Sequence, residues 1–139
     1  MIRLVEARHY KCLRYVRQPL EPFQILVGAN ASGKTTFLDV VGFLQDLLRG
    51  GVEHAVRKRA RTLSELVWMQ QGNAFELAIE VSLPPSLRAS RKPYTLARYE
   101  VQISTAEVGE IRIQAENLWL IDESRRIDPA PPLELFPVE

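Results

Sequence analysis

Several features that mark other protein classes are scarce or missing in this chain of 139 residues. Cys12 is the only cysteine, which excludes an internal disulfide and suits a reducing compartment. No stretch approaches the roughly 18 consecutive apolar residues of a membrane span, and the first residues lack a signal-peptide pattern. The formal net charge is only +1, so no strong overall field attracts an acidic partner. We therefore expect a soluble, cytoplasmic protein that recognises its partners through local features.

Histidine is scarce as well, and His9 and His54 lack the neighbouring cysteine or carboxylate spacing of a metal site. The remaining composition, with 46% hydrophobic and 25% charged residues, is ordinary for a globular domain. A chain of this length can form one domain with a sizeable core.

The sequence GANASGKTT, residues 28–36, matches the phosphate-binding pattern G-x-x-x-x-G-K-[ST] at every fixed position. The apolar run at 23–27 before it predicts a strand buried on both faces. Apolar residues at helical spacing follow it, which predicts a helix over 33–49 that stops at Gly50 and Gly51. A strand, a glycine-rich loop and a helix in this order predict a nucleotide site.

Each fixed residue of the loop has a chemical role. Glycines let successive N–H groups converge on phosphate oxygens, and the helix start directs its positive dipole end at the same anion. Lys34 would bridge the β- and γ-phosphates of ATP, and the Thr35 hydroxyl would bind Mg²⁺. The predicted loop ligands for nucleotide are Gly28, Ala29, Asn30, Ala31, Ser32, Gly33, Lys34, Thr35 and Thr36.

The rest of the chain changes character at about residue 75. Before the loop, residues 1–16 predict two strands around a turn near Lys11, and Thr62 with Glu65 forms a capping-box pattern that predicts a short helix through Met69. Alternating residues from Phe75 onward predict an antiparallel meander buried on one face. We expect α/β organisation with a P-loop subdomain at 1–74, an antiparallel β-lobe at 75–127 and a proline-rich tail or linker at 128–139.

A P-loop strand normally belongs to a parallel sheet that right-handed crossovers build. No second apolar strand with a following long helix appears after residue 49, so the strand at 23–27 lacks parallel neighbours within this sequence. We expect the chain to be the N-terminal part of a larger nucleotide-binding domain, with an exposed apolar surface.

Two strands joined by "HYKCL", then "PFQILVG" and "ANASGKTT", resemble the RecF/SMC-type branch of the ABC ATPases. The resemblance is strongest to the RecF-like and overcoming-lysogenization-defect (OLD) group of AAA ATPases, and Ala31 in place of glycine agrees with that group. It extends from Met1 to about Leu48, and the strands at 75–121 are similar to the lobe of these heads. Nucleoside and shikimate-type kinases begin their fold with the P-loop strand, so the two preceding strands argue against them.

The resemblance implies an ATPase of the DNA repair, recombination or phage-defence type. It implies that Lys34, Thr35 and Thr36 bind phosphates and Mg²⁺, that Lys11 lies near the phosphates and that Asn30 faces the γ-phosphate and a partner subunit. Such heads hydrolyse ATP between two subunits, so turnover would need a C-terminal segment and a second head. The catalytic residues of this chain stay unassigned.

The run "LWLIDES" at 118–124 imitates the acidic strand of this family, in which Asp122 and Glu123 would act on Mg²⁺ and the attacking water. We interpret both as turn residues, because no glycine-rich signature precedes them and the run ends an alternating stretch. Gln70 and Gln71 invite a reading as the family's Mg²⁺-sensing glutamine, but they precede the lobe instead of following it.

Basic residues concentrate after the helix, and the set that could contact a DNA backbone is Arg57, Lys58, Arg59 and Arg61. A solvated helix face explains the same pattern.

Two alternatives to the ATPase also stay open. One is a nucleotide-gated binding module without turnover, and the other is a small P-loop phosphotransferase with Glu123 as its acid.

Overall fold

The computed structural model describes residues 1–126, so the predicted tail at 128–139 lies outside the described residues. Five strands form one sheet: β1 (Ile2–Tyr10), β2 (Leu13–Pro19), β3 (Ala74–Ser82), β4 (Leu96–Thr105) and β5 (Ile111–Ile121). The helices are α1 (Lys34–Arg57) and the short α2 (Pro85–Ser90). The sheet order is β2-β1-β3-β4-β5, and every pairing is antiparallel.

The hairpin β1–β2, with its turn at Lys11, and the meander β3–β4–β5 confirm the predicted strands. Strand β1 pairs directly with β3, opposing Ala7 to Leu77. Strands from both sides of the predicted boundary at residue 74 therefore share one sheet. Strand β1 lies between β2 and β3, and the β1–β2 turn lies beside the start of α1, where Cys12 Sγ is 3.5 Å from the Thr36 hydroxyl.

Helix α1 covers one face of the sheet and forms the core with it. The spacing of its apolar residues places Phe37, Val40, Phe43, Leu44 and Leu47 on the buried side. Opposite them lie the alternate residues of the strands, chiefly Val5, Ala7, Tyr10, Phe75, Leu77, Val101 and Ile103. The rings of Tyr10 and Phe75 lie 5.0 Å apart, and those of Phe43 and Phe75 lie 5.4 Å apart. Among the described residues, no helix is long and apolar enough to span a membrane.

The predicted end of α1 at Gly50 and Gly51 is a break instead of a stop. Gly51 has a φ of 85° and a ψ of 173°, outside the helical region, yet helical structure resumes and continues to Arg57. Glycine adopts this conformation at no steric cost, so the chain changes direction there. The break turns residues 57–61, which we call the basic segment, back toward the first part of α1, where Arg59 contacts Asp39 and Asp46.

The predicted strand at 23–27 is wrong, because these residues form no strand. Phe23 is 82% exposed, Ile25 70% and Val27 90%. A strand needs neighbours for its N–H and C=O groups, and no parallel neighbour occurs in the described part of the chain. Residues 23–27 therefore form no strand because they have no parallel strands among residues 1–126 to pair with. The lack of these parallel neighbours is itself predicted by the sequence.

The predicted helix after Thr62 is also wrong. Leu63–Leu66 and Trp68–Gln70 are 3₁₀ turns, and Thr62 makes no side-chain cap. Val67 between them is extended and pairs with Tyr10, while the Lys11 N–H donates to Leu66 O at 2.8 Å. Tertiary pairing with the β1–β2 turn competes with the helix and overrides the local pattern.

Strands β3 and β4 of the lobe are buried on both faces, not on one as predicted, whereas β5 is largely exposed. On the face away from α1, the Arg98 guanidinium lies within 2.6 Å of Glu100, 2.7 Å of Glu6 and 3.2 Å of Glu80. All four side chains are nearly inaccessible. Alternation predicted a polar face correctly, but its charged side chains form ion pairs and are buried as a group, with a further ion pair between Arg126 and Glu80 at 2.8 Å.

Candidate functional site

The GANASGKTT segment forms an exposed loop that turns into the N-terminus of α1. Ala31 has a φ of 64° and Gly33 a φ of 92°, and the Ser32 N–H donates to Ala29 O at 3.2 Å. Left-handed residues such as Ala31 and Gly33 are a feature of the backbone nests that bind anions. Helix α1 then begins at Lys34 with no acidic residue in its first turn and no side-chain cap. Its first N–H groups are left for a negatively charged ligand.

Two glycines of the loop have close neighbours. A Cβ on Gly28 would lie 2.7 Å from Ser32 Oγ, so the Ser32 side chain would have to move. A Cβ on Gly33 would lie 3.1 Å from a Leu13 methyl and 3.4 Å from Cys12 Sγ. Gly33 also has the left-handed φ that disfavours other residues. The backbone conformation therefore favours glycine at Gly33, whereas at Gly28 the obstacle is one movable side chain.

The Lys34 side chain reaches back across the loop. Its ammonium lies 3.0 Å from Ala29 O and also contacts Gly28 O. Carbonyl oxygens hold the cation above the loop, where it can meet phosphate oxygens. Thr35 is exposed at the start of α1 and Thr36 is half-buried, while Asn30 extends into solvent. The structure thus brings together the predicted loop ligands on one exposed turn.

The β1–β2 turn is the second part of the site. Cys12 Sγ lies 3.5 Å from the Thr36 hydroxyl. Lys11, the predicted phosphate neighbour, has a left-handed φ of 51°, and its ammonium binds Asp39 of α1 at 2.7 Å. The same carboxylate accepts a 2.7 Å hydrogen bond from buried Tyr10. Lys11 therefore lies beside the loop, but its charge is directed at α1.

Asp39 belongs to a charge network that the sequence analysis missed. Arg59 donates to Asp39 at 2.9 Å and to Asp46 at 2.8 Å, and Lys58 contacts Asp46 at 2.9 Å. Burial raises the pKa of Asp39, but hydrogen bonds from Lys11, Tyr10 and Arg59 outweigh it and lower that pKa overall. Burial and the bond to Asp39 raise the pKa of the Tyr10 phenol well above its usual range. Asp39 and Asp46 lie two helical turns apart on one face of α1, a spacing that could have revealed them.

The charge network contains several of the basic residues that were predicted to contact DNA. Arg59 is largely buried and bound by two carboxylates, Lys58 is bound by Asp46, and Arg57 contacts Glu53 at 3.3 Å. Of the predicted DNA-contacting residues, Arg61 is the one without a carboxylate partner among residues 1–126. Most of the positive charge in this segment is therefore already neutralised within the protein.

Asp122 and Glu123 lie at a turn after β5, as interpreted from the sequence. Asp122 accepts hydrogen bonds from the Ser124 N–H and hydroxyl, and Glu123 pairs with Arg3 at 2.7 Å. Arg3 is near the beginning of β1, whereas Cys12 follows its end. Because β1 has 9 residues, its two ends are about 26 Å apart. The acidic turn and the phosphate loop therefore lie at opposite ends of the sheet.

No cluster of His, Cys, Asp or Glu suited to a metal ion occurs in the described part of the chain. A loop of backbone donors with one lysine and with the exposed Thr35 hydroxyl at the start of α1 suits a metal that is held mainly by phosphate oxygens, as Mg²⁺ is. The donor set and the glycine geometry both fit a magnesium-bound nucleotide. Thr35 is the one candidate metal ligand of the loop.

Comparison with known proteins adds two findings. Residues 23–132 match the sequence model of a protein family described as "AAA domain, putative AbiEii toxin, Type IV TA system". The fold is similar to a solved structure from a study of ATP-driven dimerisation and DNA-stimulated activation of SMC ATPases, with a TM-score of 0.56 and 24% identity. That match covers 86% of this chain and 68% of the other. No curated protein matches the sequence.

Proposed function

The chain belongs to this AAA domain family, and from that premise we propose that it is the Mg·ATP-binding N-terminal segment of a RecF/OLD-like ATPase. The predicted relation to RecF/SMC-type ABC ATPase heads is confirmed by the family match and by the fold. Membership in a family of AAA and ABC type implies nucleotide binding. That the nucleotide is ATP, that the metal is Mg²⁺ and that the ATPase is of the RecF/OLD-like type are parts of the proposal.

The observation that carries the proposal is the exposed loop at 28–36, with its left-handed Ala31 and Gly33 and with the Lys34 ammonium beside its backbone. Its backbone donors and the dipole of α1 would hold the phosphates of ATP, and Lys34 would neutralise their charge. The Thr35 hydroxyl would complete the coordination of Mg²⁺. When bound, the metal supplies charge neutralisation on the phosphates, while the chain supplies binding and orientation.

Hydrolysis is proposed to require a C-terminal segment and a second head. Asp122 and Glu123 lie at the far end of the sheet, and the exposed residues at 23–27 lack the parallel strands that would place an acidic group beside the loop. The second candidate is a nucleotide-gated binding module without turnover. A turnover assay on a chain extended at its C-terminus separates the two, because the binding module would stay inactive under every condition.

The test of the proposed site compares Thr35→Ala with the double variant Asp122→Asn/Glu123→Gln. Removing the Thr35 hydroxyl should weaken Mg²⁺-dependent ATP binding about tenfold or more, because the hydroxyl that would coordinate Mg²⁺ is lost, at a cost similar to that of a hydrogen bond to a charged group. The double variant should bind Mg·ATP with unchanged affinity. Titration with a fluorescent ATP analogue, with Mg²⁺ and with EDTA, measures both. The opposite pattern would move the metal site to the acidic turn and overturn the proposal.

A further inference from the structure

Asp39 binds three donors from two parts of the chain, the β1–β2 hairpin and the segment after α1. Its carboxylate accepts from Tyr10 Oη at 2.7 Å, from Lys11 Nζ at 2.7 Å and from Arg59 Nε at 2.9 Å. The side chain keeps 23% of its exposure, so the group is neither fully buried nor freely solvated. Gly42 leaves room for this arrangement, since a Cβ there would lie 3.3 Å from an Arg59 guanidinium nitrogen. Asp39 therefore fixes where the Lys11 ammonium lies.

Lys11 is close enough to the phosphate loop for that position to matter. The next residue, Cys12, has its Sγ 3.5 Å from the Thr36 hydroxyl, and a Cβ on Gly33 would lie 3.4 Å from the same sulfur. Asp39 lies one helical turn beyond Thr36 on α1. The Lys11 side chain is 31% exposed and has a flexible four-carbon stem, so the surrounding residues leave its ammonium room to rotate away from Asp39.

The network allows this transfer at low energetic cost. If Lys11 leaves, Asp39 keeps hydrogen bonds from Tyr10 and Arg59, so its carboxylate is not left without partners. Arg59 is in turn held in place by Asp46 and by Ala55 O. A triphosphate carries more negative charge than one carboxylate and competes strongly for the ammonium. The ion pair that is lost is partly exposed and correspondingly weak.

We propose that Asp39 is a positioning residue that holds Lys11 away from the loop and thereby lowers the affinity of the site for nucleotide. The proposal rests on the proposed function, since it assumes that the loop binds a nucleotide. On binding, Lys11 exchanges the Asp39 carboxylate for a phosphate oxygen, while Arg59 stays on Asp39. Asp39 thus tunes the affinity of the P-loop from a position that does not touch the ligand.

The experiment is a double-mutant cycle in Mg·ATP affinity with Asp39→Asn, Lys11→Ala and the combination. Asp39→Asn should tighten binding about two- to fivefold, the range expected for release of a partly exposed ion pair. Lys11→Ala should weaken binding about tenfold, as a charged contact to phosphate is lost. In the Lys11→Ala background, Asp39→Asn should have no effect. A purely structural role of Asp39 would instead change affinity equally in both backgrounds and would overturn the proposal.

Asp46→Asn is the matched control, because it removes a second carboxylate of the network without touching Lys11, and it should leave the affinity unchanged. If Asp39→Asn does not fold, the parent chain still gives the answer through the ¹⁵N signals of its lysine ammonium groups. Mg·ATP should shift the Lys11 signal and leave that of Lys58 in place. An unmoved Lys11 signal at saturating ATP contradicts the proposal, whereas no binding by the parent contradicts the proposed function itself.

Discussion

Individual residues were predictable where a chemical role demanded one residue type. The loop pattern singled out Gly28, Gly33, Lys34 and Thr35, and the left-handed φ of Gly33 gives that glycine a conformational reason. Asp39 was missed, because a single carboxylate on an amphipathic helix looks like an ordinary surface residue. Its partners Tyr10, Lys11 and Arg59 come together only through the fold.

The buried side chain of Glu76 leads to a prediction about how the stability of the protein depends on pH. It is largely buried beside Glu6 and Glu100, and its Oε2 has no hydrogen-bond partner. Burial raises the pKa of Glu76 above 4.5, repulsion from both glutamates adds to this, and Arg8 and Gln102 oppose it. A folded-state pKa above the unfolded value means that stability is present below the unfolded pKa and is lost as pH rises through the folded one.

Glu76→Gln should therefore raise the melting temperature at pH 7 by a few degrees, because the amide resembles the protonated acid and its burial involves no charge. At pH 4 the gain over the parent should disappear. Thermal unfolding at both pH values measures the difference, with the exposed Glu110→Gln as the control that changes neither. A variant that is less stable than the parent at pH 7 would show that the Arg8 contact outweighs the burial of charge.

Among the helices and strands, the local sequence pattern predicted correctly those elements that pair or pack with other elements in the described part of the chain. The hairpin, the strands of the meander and the first part of α1, up to Gly50, formed as predicted, because β1 and β3 pair and α1 covers their apolar face. The segment at 23–27 failed because its pattern describes a strand of a parallel sheet, and the described residues contain none. The helix predicted from Thr62 failed because pairing with Tyr10 and Lys11 draws the backbone into an extended form at Val67.

The exposed segment predicts an association property of this chain. Phe23, Ile25 and Val27 expose apolar surface together with unpaired backbone, which favours contact with a further segment or another copy. The chain should self-associate at micromolar concentration, and Phe23→Ser/Val27→Ser should reduce that association and the binding of a hydrophobic dye. Sedimentation analysis measures the first effect.

The control for this experiment is Val108→Ser, at the β4–β5 turn. Val108 is 94% exposed but isolated from the apolar segment, so this change should leave association unaltered. A parent chain that stays monomeric and binds no dye over the same concentration range would mean that residues 23–27 pack in solution. The incomplete-sheet explanation would then be wrong.

For the whole molecule, the sequence predicted the class of fold and its relation to RecF/SMC-type heads, and both are confirmed. It did not predict that the N-terminal hairpin and the lobe would form one sheet, because strand order depends on which edges meet and not on the pattern within each strand. That single sheet positions the β1–β2 turn, α1 and the loop as one unit. The central claim is that this unit binds ATP through its P-loop.

Comparing Lys34→Ala with the parent in a Mg·ATP titration tests this claim most directly. Lys34 is the cation held above the loop carbonyls, so its removal should reduce ATP affinity at least about a hundredfold, as expected for loss of a strong charge-assisted contact. Thermal unfolding without nucleotide should be unchanged. Lys92→Ala, which removes an equal charge from an exposed loop, should bind like the parent. Equal ATP affinity in Lys34→Ala and the parent would contradict the account.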